Sequence, residues 1–114
     1  MKLPNADRAQ VDPEKILGYL LNAAHPDGKT KAEFFTRFGF RQDRWEALRS
    51  ALRIHAGRHD VVKKVEFHYG ERYVVEGPIE SPDRRNPLVR TGWLVERGNV
   101  NPRLITAYPV EEGA

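Results

Sequence analysis

The spacing of apolar residues changes once along the chain. In the first half they recur every three or four residues, whereas after Asp60 they alternate with polar residues. The first helical series consists of Ile16, Leu17, Leu20 and Leu21. A spacing of three to four is typical of one helix face, and a spacing of two is typical of a strand with one buried face. The chain is therefore predicted to form helices first and strands second.

Three helices are predicted in the first half. The first begins after the capping residue Asp12 with Pro13 at its first position, a common start for a helix. Glycines mark the ends of the second and third helices, at Gly39 and Gly57. The predicted helices cover residues 13–22, 29–38 and, from a start at Gln42 or Asp43, the segment that ends at Gly57.

Four strands with short connections follow, which favours an antiparallel meander. They are predicted at residues 61–68, 73–77, 88–96 and 103–110, with turns at 69–72 and 98–102 and a polar loop at 81–87. The predicted fold is α+β, with three N-terminal helices packed on one face of the four-stranded sheet. The opposite face is expected to be open to solvent, and the residues from Glu111 onward are expected to form a loose tail.

Composition narrows the class of protein. The 114 residues predict a single domain, 1–114, and 39% hydrophobic with 31% charged residues is typical of a soluble globular protein. No apolar run is long enough for a membrane span or a signal peptide, and the absence of cysteine excludes disulfides and thiolate sites. We expect a cytoplasmic protein without a membrane partner. The net charge of +3 is compatible with nucleic-acid binding.

The segment HPDGKTKAEFF, residues 25–35, is the strongest functional lead. It places His25, Lys29 and Lys31 at the predicted start of the second helix. Unsatisfied N–H groups and the helix dipole favour an anion at such a start. Cations there cost ~0.3–1 kcal/mol each, which favours a bound phosphate or carboxylate as the reason for them.

Four polar residues in the last two strands are further candidates. Arg90, Thr91, Thr106 and Tyr108 stand among strand hydrophobes, and each offers a hydrogen-bond donor. Strict alternation places Leu104 on the same face as Thr106 and Tyr108. Together with the lysines of the helix start, these donors are candidates for a shared anion site.

Each candidate also has a structural interpretation that needs no ligand. His25 can bond a terminal carbonyl of the preceding helix. Arg90 can pair with Glu76 or Glu96 across strands. The other candidates are ordinary surface lysines, good strand formers or an edge aromatic that covers the core.

A metal site is not predicted. His55 and His59 are four residues apart, a spacing that places two imidazoles on one helix face. Gly57 falls between them, however, and neither a glutamate in an HExxH pattern nor a third ligand is evident. The two histidines are therefore interpreted as part of a solvated helix end. No cofactor motif is present either, so no cofactor is predicted.

Four runs of the sequence carry a family resemblance, namely LLNAAHPDGKTKAEFFTRFGF, HYGERYVVEG, VRTGWLVERG and PRLITAYPV. They resemble an uncharacterised bacterial domain family that occurs as small stand-alone proteins and as C-terminal tips of polymorphic toxins. The layout of helices followed by a meander is similar to the metal-independent RNase superfold of barnase, EndoU, colicin-type tRNases and RelE-like toxins.

The resemblance implies a toxin-like endoribonuclease that cleaves RNA or tRNA without metal, through attack of the ribose 2′-OH on the scissile phosphate. It implies a neutralising antitoxin or immunity protein as partner. The implied site comprises His25 as general base or acid, Lys29 and Lys31 at the phosphate, Arg90 for transition-state charge, Thr91 or Thr106 for phosphate positioning and Tyr108 for stacking or acid catalysis.

One departure from a two-histidine RNase site is that His25 is the only histidine in the motif. It would need a lysine or tyrosine as its counterpart, unless His55, His59 or His68 folds inward. Two other functional classes stay open. One is a non-catalytic protein- or RNA-binding module, such as an antitoxin or immunity protein, and the other is a structural adaptor.

Overall fold

The computed structural model describes residues 1–110; the tail predicted from Glu111 onward lies outside the described residues. The helices are α1 (Pro13–Lys15), which continues as a π-helical segment (Ile16–Leu20), α2 (Lys29–Arg37) and α3 (Trp45–Arg58), with 3₁₀ turns at Ala6–Arg8 and Gln42–Arg44. The strands are β1 (Val61–Phe67), β2 (Gly70–Pro78), β3 (Leu88–Glu96) and β4 (Arg103–Pro109). The predicted α+β fold, with three helices before four antiparallel strands, is confirmed.

The first helix differs from the prediction in type and length. It ends at Leu20 rather than Asn22, and most of it is π-helical, because the N–H of Leu21 donates to the Ile16 carbonyl five residues earlier at 2.8 Å. Ile16 and Leu20 are fully buried in the core. Tyr19 lies at the margin of the core, where its hydroxyl reaches β4.

The sheet is a meander in the order β1-β2-β3-β4, and the helices cover one of its faces. On β2 and β3 the helix-covered face is formed by alternate buried residues. The fully or nearly fully buried members are Tyr73, Val75, Val89, Thr91 and Trp93. They pack in one core with Phe35, Leu48 and Leu52 of the helices. The alternate residues between them lie on the face away from the helices, which we call the open face.

A bulge in β4 breaks the strict alternation. The β3–β4 ladder shifts by one residue and leaves Ile105 unpaired. Leu104 and Ala107 are consequently both buried under the helices. Thr106 and Tyr108 lie on the open face. The expectation that Leu104 shares their face was wrong, because the extra residue reverses the alternation between positions 104 and 106.

The β1–β2 hairpin is tighter than predicted. Phe67 pairs with Gly70, so only His68 and Tyr69 form the loop. The residues 69–72, predicted as a turn, therefore mostly belong to β2. As a result, Arg72 occupies a position in the middle of the sheet, between β1 and β3.

The third helix runs past its predicted stop. Gly57 lies inside α3, which ends at Arg58. The chain before the first helix also contributes to the core, since Leu3, Ala9 and Val11 are buried. This segment runs parallel to the start of β4. The N–H of Gln10 donates to the Pro102 carbonyl at 2.8 Å, and its carbonyl accepts from the N–H of Leu104 at 2.9 Å. Within residues 1–110, no helix has the length and apolar character needed to cross a bilayer.

Candidate functional site

The open face of the sheet holds a groove of ≈ 530 Å³, which we call the sheet groove. Its main lining residues are Lys63, Val65, Phe67, Arg72, Arg90 and Tyr108. They come from all four strands, and their side chains point away from the core because each stands at the alternate position of its ladder. The groove therefore combines three cations with apolar walls and a phenol.

Arg90 lies in the sheet groove, paired with a carboxylate of the neighbouring strand. Its Nε donates to Glu76 Oε1 at 2.7 Å, and the two residues are direct cross-strand neighbours. Of the two partners considered from sequence, Glu76 is the one observed, while Glu96 pairs with Arg103. The Glu76 carboxylate raises the pKa of Arg90 above its usual value. Both side chains stay accessible, at 43% and 29% exposure, so the pair can meet a ligand.

Arg72 is the second guanidinium of the open face, and sequence reasoning missed it. Within residues 1–110 it forms no ion pair. A Cβ atom at Gly92 would lie 3.9 Å from Arg72 Nη2 and 3.2 Å from Thr106 Cγ2. The glycine thus keeps the floor of the sheet low beneath the guanidinium. An exposed cation without an internal partner is available for an external anion.

A second groove of ≈ 470 Å³, the edge groove, lies where the first helix meets β4. Its main lining residues are Lys15, Tyr19, His25, Asp27, Arg72 and Thr106. The hydroxyls of Tyr19 and Thr106 are 3.2 Å apart. Arg72 lines both grooves, so they adjoin at its side chain.

His25 stabilises the turn that precedes α2 and does not bond a carbonyl at the end of the helix before it. Its Nδ1 accepts hydrogen bonds from the N–H groups of Asp27 and Gly28, both at 3.0 Å. The hydrogen-bond network therefore assigns the ring proton to Nε2. The ring edge contacts Tyr19, with centroids 5.1 Å apart. In this geometry His25 offers an Nε2–H donor to the edge groove and cannot accept a proton at Nε2.

The two lysines in the first turn of α2 have different surroundings. Lys31 donates to the Asp27 carbonyl at 3.3 Å, and its ammonium lies 5.3 Å from the centroid of the Tyr19 ring. Lys15 approaches the same ring at 5.6 Å. Lys29, the first residue of α2, is exposed and lines neither groove. Tyr19 thus gathers two cations beside the edge groove by cation–π contact.

Thr91 lies on the helix-covered face, separated by the sheet from Arg90. Its hydroxyl donates to His55 Nδ1 at 3.1 Å and accepts from Trp93 Nε1 at 2.8 Å. His55 Nε2 donates to the Gly77 carbonyl at 2.9 Å. This network is fully satisfied inside the core, so Thr91 does not join the other candidates.

The interpretation of His55 as part of a solvated helix end was wrong. His55 is 1% exposed, and burial lowers its pKa to about 4. His59 donates from Nε2 to the Pro78 carbonyl at 2.8 Å. His68 stays in the β1–β2 loop against Tyr69 and does not turn inward. Across the part of the chain that the structure describes, no group of three or more histidine, aspartate or glutamate residues is placed to hold a metal ion.

Among the candidates predicted from sequence, the fold places Arg90 and Tyr108 in one groove and His25 and Thr106 in the other. The residues that sequence reasoning missed are Arg72, Glu76 as a candidate proton acceptor, Tyr19 and Lys15. A signal for two of them was present. Arg72, Val74 and Glu76 alternate with the buried residues of the second strand. Once this strand is begun before its predicted first residue, Tyr73, the alternation places Arg72 and Glu76 on the same open face.

Comparison with known proteins gives two findings. The fold is similar to that of one chain in the contact-dependent growth inhibition toxin–immunity protein complex from Klebsiella pneumoniae 342. The TM-score is 0.73 at 19% sequence identity, over 93% of this chain and 97% of that chain, so the likeness is one of fold. Among curated protein sequences, none matches the chain significantly. A family model described as a domain of unknown function (DUF6883) matches residues 2–111, and the protein therefore belongs to this family.

Proposed function

We propose that the protein is a metal-independent endoribonuclease of a bacterial toxin system, acting on RNA, tRNA included. The observation that carries this proposal is the position of Arg72 between the two grooves. On one side stand the Arg90–Glu76 pair and Tyr108, and on the other stands His25 with its Nε2–H donor. This set combines phosphate-binding cations with a proton acceptor and a proton donor.

The two guanidiniums bind the scissile phosphate. Arg72 and Arg90 come from adjacent strands and share the sheet groove. A planar guanidinium matches the geometry of phosphate oxygens and keeps its charge at all relevant pH values. As the phosphorane forms, its added negative charge is stabilised by donors already in position.

Glu76 and Tyr108 carry the protons in this proposal. The Glu76 carboxylate, which is oriented by Arg90, accepts the proton of the 2′-OH while the 2′-oxygen bonds to phosphorus. The bond from phosphorus to the 5′-oxygen breaks, and the Tyr108 hydroxyl, directly across from Arg90, protonates that oxygen. The products are a 2′,3′-cyclic phosphate and a 5′-hydroxyl end, and the proton passes back from Glu76 to Tyr108 through solvent.

The edge groove supports the same reaction. His25 and Thr106 donate hydrogen bonds to phosphate oxygens, a role that suits the occupied Nδ1 of His25 better than proton transfer. Lys29 and Lys31 add positive potential at the start of α2. Thr91 acts only from behind the sheet, by fixing β3 through His55.

The toxin-system assignment is supported by the fold shared with a chain of a toxin–immunity protein complex. We accordingly propose a neutralising antitoxin or immunity protein as partner. The name of that complex covers both proteins, so it equally supports a second candidate, a non-catalytic immunity or binding module. The Arg90–Glu76 pair is compatible with this second candidate, because it also stabilises the sheet without any ligand.

Incubation of total RNA and tRNA with the purified protein in EDTA separates the two candidates. We expect discrete fragments from the wild type, and a rate lower by ~10²–10³ for Arg72→Gln and for Glu76→Gln, because each removes a group that acts on the transition state. Arg58→Gln is the matched control, since Arg58 is an exposed arginine that contacts Glu80 and lines neither groove. Intact RNA in every lane, with folded protein, would instead support the binding module.

A further inference from the structure

The charged residues that line a third cavity are mostly cations. This cleft of ≈ 440 Å³ lies between the N-terminal segment, α3 and the start of β4, and we call it the arginine cleft. Its charged lining residues are Arg8, Lys15, Arg49, Arg53, Arg103 and one carboxylate, Asp12. Since five cations face a single acid, the cleft carries a net positive charge that favours an anionic ligand.

Most of these cations lack an internal counter-charge. Arg103 pairs with Glu96 at 2.7 Å, whereas Arg8, Arg49 and Arg53 form no ion pair within residues 1–110. The guanidinium of Arg49 lies 5.9 Å from the centroid of the Trp45 ring. Its Nε is buried and has no hydrogen-bond partner in the described part of the chain. A buried donor without a partner costs stability, so the fold holds this guanidinium beside the cleft at a cost.

The three cavities form a series. Lys15 lines both the arginine cleft and the edge groove, and Arg72 lines both the edge groove and the sheet groove. Cations therefore continue from the open face, past the first helix, to α3. We call this series the cationic track.

Aromatic rings are interleaved with these cations. Tyr108 and Phe67 lie in the sheet groove, and Tyr19 lies in the edge groove. Phe67 stacks on Tyr69 with rings 5.1 Å apart and nearly parallel, and the two are 36% and 50% exposed. Exposed rings along a basic groove are typical of proteins that bind single-stranded nucleic acids, because unpaired bases stack on them.

We propose that a single-stranded RNA segment longer than the two nucleotides of the cleaved bond binds along the cationic track, with its flanking phosphates in the arginine cleft. This inference rests on the proposed function and extends it to the class of substrate. An acidic protein segment would match the charges of the cleft but would not use the aromatic rings, so RNA is the occupant favoured here.

Fluorescence anisotropy with a labelled 2′-O-methyl oligonucleotide of about 12 nucleotides tests the track, because this probe lacks the attacking hydroxyl and spans a typical single-strand site. The variant is Arg8→Gln with Arg53→Gln, and the control is Arg58→Gln, on the same helix as Arg53 but outside the cleft. We expect the double variant to bind several-fold more weakly, with a salt dependence smaller by about 0.7 for each phosphate that is no longer neutralised. The control should bind like the wild type.

A ribodinucleotide cleavage assay in parallel separates this inference from the proposed function. The double variant should cleave the dinucleotide at the wild-type rate, because the sheet groove is unchanged. Equal affinity of wild type and double variant for the long probe would overturn the track alone. Polyglutamate serves as the probe for an acidic protein segment. If the double variant bound polyglutamate more weakly than the wild type but bound RNA equally well, the track would be overturned in favour of an acidic protein partner. A folded wild type that neither cleaves the dinucleotide nor binds the long probe would overturn both proposals.

Discussion

His55 shows how burial of a single residue makes stability depend on pH. Both of its ring nitrogens are engaged by core partners, and burial lowers its pKa from the ordinary 6.5 to about 4. Below pH 6.5, His55 is therefore protonated in the unfolded chain but stays neutral in the folded protein. Its contribution to the free energy of unfolding is fully present above that pH and is lost as the pH falls toward 4.

We expect the free energy of unfolding to drop by about 2–3 kcal/mol between pH about 7 and about 4.5 because of this residue. Urea unfolding at both pH values measures the change. His55→Gln, which lacks a titrating group, should be less stable at pH about 7 but should show a smaller drop. If the variant kept the full wild-type drop, the pH dependence would originate elsewhere, for example in Asp60 or Asp83, whose pKa values are also lowered.

At the scale of a single element, the turn before α2 positions His25 so that it lines the edge groove. Gly28 allows the turn to approach the first helix, since a Cβ atom there would lie 2.2 Å from the Tyr19 carbonyl oxygen and 3.2 Å from His25 Cβ. The same turn supplies the two N–H groups that hold His25. The imidazole, the helix start and Tyr19 are therefore positioned as one unit.

Gly28→Ala should displace this unit, because the methyl group meets backbone and cannot be accommodated by a rotamer change. We expect a loss of about 1–3 kcal/mol in unfolding free energy together with reduced RNA cleavage. Gly57→Ala is the matched control. Its methyl group would meet only Ala6 Cβ at 3.9 Å, within a helix, so a gain of about 0.5–1 kcal/mol is expected. Wild-type stability of Gly28→Ala would show that the turn is free to shift.

The β4 bulge acts at the same scale on the other wall of the edge groove. By leaving Ile105 unpaired, it keeps Leu104 and Ala107 in the core and still presents Thr106 and Tyr108 on the open face. In a regular strand, Leu104 would lie on the same face as Thr106 and Tyr108, so either Leu104 would leave the core or the two polar residues would enter it. A bulge next to a groove re-aims side chains in this way in many proteins.

For the whole molecule, the distribution of charge matters more than the net charge of +3. Carboxylates elsewhere hold cations in ion pairs, as Asp60 does for Lys2 and Asp83 for Arg85. Along the grooves, Arg72 has no such partner in the described chain. Positive charge without an internal ion pair therefore lies where we propose that RNA binds.

Induced expression in bacteria lacking the proposed partner should arrest growth if the protein is a toxin. Arg72→Gln should relieve the arrest, because it removes the cation shared by both grooves, and Arg58→Gln should not. Growth curves with immunoblots for equal protein level measure this. Normal growth with abundant folded wild type would contradict the toxin assignment and favour the binding module.

The division of the chain into helices and strands, and their order, were predictable from the sequence, because helical and strand periods are local properties of the chain. The helix start at Lys29 and the strand Leu88–Glu96 were predicted at their observed positions. The pairing of Arg90 was narrowed to two glutamates, of which Glu76 is the observed one. The site residues themselves stay predictions.

Only the tertiary structure decided where the side chains of the candidate site point. The register of the ladders between strands decides whether Thr91 faces His55 or the sheet groove. It also decides whether Arg72 lies in a turn or in the sheet. A shift of one residue, such as the bulge at Ile105, moves side chains to the opposite face without changing the local apolar period much. Register is selected by packing of the whole core, so periodicity determined the elements of this protein, and long-range contacts determined its grooves.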